Sequence, residues 1–84
     1  MNFVAKINIL PKEALLDPQG NAVKKAMNNL NLSSHKVRIG KHIIIELSCN
    51  DKKEASEIIE QSCKKLLANQ ITEEYTYKIE EVTN

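Results

Sequence analysis

Between Lys36 and Ser48 the apolar residues Val37, Ile39, Ile43, Ile45 and Leu47 all stand at odd positions, so one face of an extended chain would stay apolar throughout. That parity discriminates between two local folds. A tight hairpin turning at Gly40-Lys41 would pair Ile39 with His42 and Val37 with Ile44, placing Ile43 and Ile45 on the face shared with Arg38. A single long strand bent at Gly40 keeps all five on one side, and glycine inside a strand often marks a bulge or bend. At about 3.3 Å per residue such a strand reaches roughly 43 Å, longer than the first strand of the chain can pair with. The excess requires another partner.

The remaining elements follow from their own periodicities. Phe3, Ala5, Ile7 and Ile9 alternate with Lys6 and Asn8, predicting a strand over Phe3–Leu10 that Pro11 and Lys12 end. Asp17-Pro18-Gln19-Gly20 reads as a helix start, with a capping carboxylate and a proline at the first helical position. Ala22, Val23, Ala26, Met27 and Leu30 form the apolar face of that helix, and Asn31 suits a left-handed C-cap. Asp51 to Glu54 is an acidic variant of the capping box. It opens a second helix with Ala55, Ile58, Ile59, Ser62, Cys63, Leu66 and Leu67 inward, closed by Asn69 in the left-handed conformation. Tyr75, Tyr77 and Ile79 alternate with Thr76, Lys78 and Glu80 in a last, half-exposed strand.

The order is therefore β-α-β-α-β. Two helices, each with a single apolar face, are most simply buried on one side of a small, mainly antiparallel sheet, giving an α+β two-layer domain. On the opposite sheet face Leu10, Ile44, Val82 and parts of the tyrosines are thin for a core but sufficient for a partner. Two or more copies are expected to pack through that face or to add their long strands edge to edge.

A chain of 84 residues forms one domain, residues 1–84. It buries only about 60 to 65% of its unfolded surface, which limits its stability to a few kcal/mol and favours self-association. The formal net charge is +1, Arg38 is the sole arginine, and Phe3, Tyr75 and Tyr77 are the only aromatics. That balance argues against nucleic acid as a partner. No apolar run approaches the 18 or so residues of a membrane span, and no charged leader precedes an apolar stretch, so the expectation is a cytoplasmic protein without a membrane partner.

Chemistry is sparse. Cys49 and Cys63 lack CxxC spacing, and His35 and His42 are the only other soft ligands, so no zinc site is expected. No phosphate-cradling or nucleophile-elbow motif occurs. Glu80 and Glu81 are neighbours in a strand and point to opposite faces, unlike a paired acid and base. His35 lies in a loop, His42 on the less apolar strand face, and Cys63 on a buried helix face where a thiolate is disfavoured. The tyrosines are expected to pack across strands. The expectation is no catalytic, cofactor-binding or metal-binding residue on this chain.

Two strings, Leu16-Asp17-Pro18-Gln19-Gly20 followed by Ala22-Val23, and Val37-Arg38-Ile39-Gly40-Lys41, resemble the PurS family. Lys6 to Lys12, Lys65-Leu66-Leu67-Ala68-Asn69 and Tyr75 to Glu81 extend the resemblance over essentially the whole chain. It implies a PurS-like, distantly ferredoxin-like fold. It also implies a subunit of phosphoribosylformylglycinamidine synthase, the purine-biosynthetic ligase that uses ATP, magnesium and glutamine at complex level. In that family the small subunit is a homodimer or dimer of dimers bridging a large synthetase, PurL, and a glutaminase, PurQ. The residues carried over as partner-interface candidates are Asp17, Pro18, Gln19, Gly20, Arg38, Gly40 and Lys41.

Each of these also has a local reading. Asp17, Pro18 and Gly20 start a helix, but glycine costs roughly 1 kcal/mol within a helix, so Gly20 suggests close approach by another backbone or subunit. Arg38 and Lys41 are either solvated charges or cations for an acidic partner, and the planar guanidinium of Arg38 favours the second. Two rival functions remain open at this level. One is a small oligomeric regulatory domain that binds a metabolite at a dimer seam. The other is a small enzyme using His42 or Tyr77 at a subunit interface.

Overall fold

Phe3, Ala5, Ile7 and Ile9 carry the alternation of strand β1 (Asn2–Pro11), and all four are buried on one sheet face in the computed structural model, which describes residues 1–83. β1 lies between β2 (Lys41–Ser48) and β3 (Glu73–Val82) and is antiparallel to both. The register sets Ile7 opposite Ile43 and Tyr77, and Ala5 opposite Ile45 and Ile79. Odd-numbered residues of all three strands therefore share the inner face, as the parity requires. β2 and β3 are both edge strands.

Helix α2 (Lys52–Ser62) covers that face with Ala55 and Ile59 fully buried. Asp51 caps it, its carboxylate accepting the Glu54 N–H at 2.8 Å. Glu54 does not close a reciprocal box but accepts from the Asn50 amide at 3.1 Å. A π-helical turn over Cys63–Leu67 follows, in which the Ala68 N–H donates to the Cys63 carbonyl at 3.0 Å. This wider turn brings Ala68 beneath Cys63, both buried, and rotates Leu66 out to 80% exposure. Leu66, predicted to point inward, is thus on the surface, and Ile58 is exposed as well. Asn69 also departs from expectation. Ala68 is already extended and Asn69 has no positive φ; its side chain instead accepts the N–H groups of Ile71 at 2.9 Å and Thr72 at 3.3 Å, turning the chain into β3.

Helix α1 (Pro18–Asn29) forms where predicted and ends where predicted. Asn31 has φ 62°, and the Leu32 N–H returns to the Met27 carbonyl at 2.8 Å, the Schellman arrangement. Its position differs from that of α2. Whereas α2 lies on the sheet, α1 is held off it, leaving Ala22, Val23, Ala26 and Leu30 exposed. The α+β class, the element order and the antiparallel sheet stand; covering of the inner face is accomplished by α2 alone. Beneath the absent cover, Ile43, Ile45 and Leu47 of β2 are only half-buried.

The long bent strand is also shorter than its pattern suggested. Pairing ends at Ile9 with Lys41, and residues 36–40 leave the ladder. The next pairs would reach Pro11, which has no N–H to continue the ladder. Gly40 sits at the point of departure. A Cβ there would fall 2.1 Å from the Ile9 carbonyl oxygen, so the crossing over the end of β1 requires glycine.

Candidate functional site

The two strings that departed most from plain helix and strand grammar meet each other. Asp17 is the hub of their junction. One carboxylate oxygen accepts the Gly20 N–H at 3.0 Å as an ordinary helix cap, and the other accepts the Ile39 N–H at 3.0 Å from the segment preceding β2. These backbone donors, with a smaller contribution from the Arg38 charge, hold the Asp17 carboxyl below its usual range. Gly20 is buried directly beneath that segment. A Cβ on it would lie 2.1 Å from the Val37 carbonyl oxygen, so the close backbone approach expected at Gly20 comes from within the same chain.

Arg38 extends from the junction to the end of the sheet. Its guanidinium donates to the Pro11 carbonyl, pairs with Glu74 at 2.9 Å and approaches Glu13 at 3.4 Å. The carbonyl that the interrupted ladder left without a strand partner is therefore satisfied by a side chain. Lys36 joins Glu13 at 3.6 Å and Lys41 lies 3.8 Å from Glu73. Pro18 and Gln19 are exposed at the start of α1. Of the seven candidate residues, Asp17, Gly20 and Arg38 are engaged in the junction, Gly40 makes the crossing, and Pro18, Gln19 and Lys41 are exposed, Lys41 beside Glu73.

An open hollow of about 130 Å³ beside the junction is lined by Pro11, Leu16, Asp17, Val37 and Arg38. A broader depression of about 410 Å³ lies on the outer sheet face, lined by Asn8, Leu10, Gly40, His42 and Thr76. The reactive side chains are dispersed around the molecule. His42 Nδ1 is 2.7 Å from Asn8 Oδ1 on the outer face, whereas Cys63 is buried under α2, where burial first and Glu60 second push its thiol up. Tyr75 and Tyr77 stack along one strand, centroids 6.4 Å apart, rather than across strands, and the Tyr75 hydroxyl donates to Glu60 at 3.1 Å. Among the described residues no group of three His, Cys, Asp or Glu side chains is placed to hold a metal ion, and no helix is long and apolar enough to cross a membrane.

The junction itself was not visible as a contact in the sequence. Two signals pointed to its parts: a glycine in a first helical turn, and a proline at the end of the strand that the following segment ought to pair.

Comparison with known proteins bears on the same segments. The family model PurS, described as Phosphoribosylformylglycinamidine (FGAM) synthase, matches residues 4–81. The chain belongs to the PurS family. The phosphoribosylformylglycinamidine synthase subunit PurS of Bacillus subtilis is 36% identical over 81 residues, covering 95% of each chain. That of Methanocaldococcus jannaschii is 32% identical, covering 95% of this chain and 98% of its own. Among solved structures, Thermus thermophilus PurS superposes with a TM-score of 0.89 at 31% identity, covering 99% of this chain and all of that one. A chain of PurLQS from Thermotoga maritima gives a TM-score of 0.84 at 28% identity, covering 98% and 99% of the two chains. PurS is thus a subunit of a ligase, EC 6.3.5.3, of the purine biosynthetic pathway, and the sequence-based expectation of fold and subunit role agrees with this.

Proposed function

We propose that this chain is the non-catalytic assembly subunit of its synthase, bridging the ATP-dependent synthetase PurL and the glutaminase PurQ and supporting ammonia transfer between them. It acts in the cytoplasm as a homodimer or dimer of dimers. ATP, magnesium and glutamine are bound by the partner subunits, and Asp17, Pro18, Gln19, Gly20, Arg38, Gly40 and Lys41 form or position the surface that meets a partner. The T. maritima assembly of PurL, PurQ and PurS supports the choice of partners.

The observation that carries this reading is the excess of surface. A solitary chain of this mass exposes about 5,050 Å², whereas this one exposes 6171 Å². Its radius of gyration is 16.5 Å, against about 12 Å for a compact domain of this length. The surplus of about 1,100 Å² is comparable to the roughly 800 Å² that one partner contributes to a stable protein interface. Two edge strands and an uncovered helix supply that surface.

Native mass measurement of the mixed PurL, PurQ and PurS subunits, with and without glutamine and ADP, tests the proposal. One particle containing all three is expected under at least one condition. PurL and PurQ forming the same particle without this chain would remove the bridging role.

A further inference from the structure

Strand β3 has a partner on one side only. From Glu74 to Val82 its backbone hydrogen-bonds to β1 alone among the described residues, so every second residue turns an N–H and a C=O outward. The strand runs for ten residues without a proline, and its register with β1 skips no residue from Asn2–Val82 to Pro11–Glu73, so no bulge twists the edge away. Its carboxylates are grouped at the ends. Glu73 and Glu74 stand at one end, Glu80 and Glu81 at the other, with Tyr75, Thr76, Tyr77, Lys78 and Ile79 between them. We infer that the β3 edge takes up an extended segment of a partner subunit as a fourth strand, and that this segment is basic, with cations placed to meet Glu80 and Glu81. The inference rests on the bridging role proposed above and names one surface through which it is exercised.

Charge selects the occupant. A second β3 added to this edge would be related to the first by a two-fold axis normal to the sheet, which keeps odd residues on one face and even residues on the other. Centred on Tyr77, that pairing sets Glu74 opposite Glu80 and Glu73 opposite Glu81 on both sides of the axis. Centred on Lys78, it sets the lysine opposite its own copy. Like charges directly opposite each other are destabilising. The edge therefore repels itself while its backbone stays open.

The four glutamates are not equally available. Glu74 is paired with Arg38 at 2.9 Å and Glu73 lies 3.8 Å from Lys41, whereas Glu80 and Glu81 are exposed and make no ion pair among the described residues. As neighbours in a strand, the two free carboxylates project from opposite faces of the sheet. A segment with Lys or Arg at adjacent positions meets both, and its backbone continues the ladder beside Tyr75, Tyr77 and Ile79. In strand addition the main chain supplies affinity and the side chains supply selection. The β2 edge, Lys41–Ser48, carries one lysine and one glutamate and has no comparable bias.

Hydrogen exchange of the full chain, alone and mixed with PurL, with PurQ and with both, provides the test, read beside the native mass of each mixture. Slower exchange over Glu73–Val82 is expected in a mixture that forms a complex. The double variant Glu80→Lys, Glu81→Lys alters exposed side chains only, so its circular dichroism should match that of the unaltered chain. Its affinity for the same partner at low salt should fall about tenfold or more. A complex in which Glu73–Val82 exchanges as in the free chain would overturn the inference, as would one that the double variant forms with undiminished affinity. Either result would leave the bridging role intact and reduce the glutamates to guards against self-pairing. Absence of any complex would sink both readings.

Discussion

Gly20 lies so close under Val37 that a Cβ at residue 20 would stand 2.1 Å from the Val37 carbonyl oxygen. The Asp17 carboxylate spans the same gap from the side, joining the first turn of α1 to the Ile39 N–H. Helix start and pre-strand segment are therefore one structural unit. Gly20→Ala should destabilise the chain by about 1–3 kcal/mol, because the obstruction is backbone and the gain in helix propensity is smaller than the overlap. Thermal unfolding should show a midpoint lower by several degrees, about 4–8 °C for each kcal/mol in a domain of this size.

Acid should loosen the junction. The Asp17 carboxyl is held below its ordinary value by the Gly20 and Ile39 donors, so the folded state binds that proton less readily than the unfolded chain does. Its contribution is fully present above the unfolded value near 4 and is lost as the pH falls through the lower folded value. Denaturant midpoints measured from about pH 7 down to pH 2 should decline below about pH 4. Asp17→Asn should lower the neutral midpoint and flatten that acid decline. A decline of undiminished steepness in the variant would assign it to other carboxylates.

Arg38 should resist conservative replacement. Its side chain is 21% exposed and serves the Pro11 carbonyl and Glu74 from one guanidinium, with Glu13 nearby. A lysine ammonium is a single point donor and cannot maintain that fork. Because the glutamates are largely exposed, Arg38→Lys is expected to cost no more than about 1 kcal/mol, with part of the difference removed by high salt. Urea unfolding at low and high ionic strength measures both.

The two thiols should separate in reactivity. Cys49 is partly accessible, whereas Cys63 is fully buried with its thiol pushed up by burial and by Glu60. A thiol reagent should titrate one cysteine in the native protein and the second only on unfolding. Ile59→Ala, in the same buried layer, should cost about 2–5 kcal/mol and leave little folded protein. Leu66→Ser, at the outward side of the π turn, should change stability by less than about 0.5 kcal/mol.

Local chemistry made most of the elements readable in advance. The odd positions of β1, β2 and β3 do share one face, Asp17 and Asp51 do cap helices, and Asn31 does take the left-handed conformation. What escaped the sequence depends on contacts between distant segments. The apolar parity continues through Val37 and Ile39, but Pro11 withdraws the donor that pairing would need, so the strand stops at Lys41. The stripe on α1 signals burial without saying against what. Its own sheet was the simplest answer, but α1 is tied at its first turn to the segment before β2 and does not pack on the sheet. Leu66 satisfied a regular helical period that the π turn after Ser62 breaks.

The role proposed for this chain is to contribute surface to a synthase whose chemistry belongs to other subunits. Formation of the amidine product by PurL and PurQ, with and without the chain and with either glutamine or free ammonia as nitrogen source, tests it most directly. Omission should abolish glutamine-driven synthesis while ammonia-driven synthesis continues. Glutamine-driven synthesis at an undiminished rate without the chain would contradict the account.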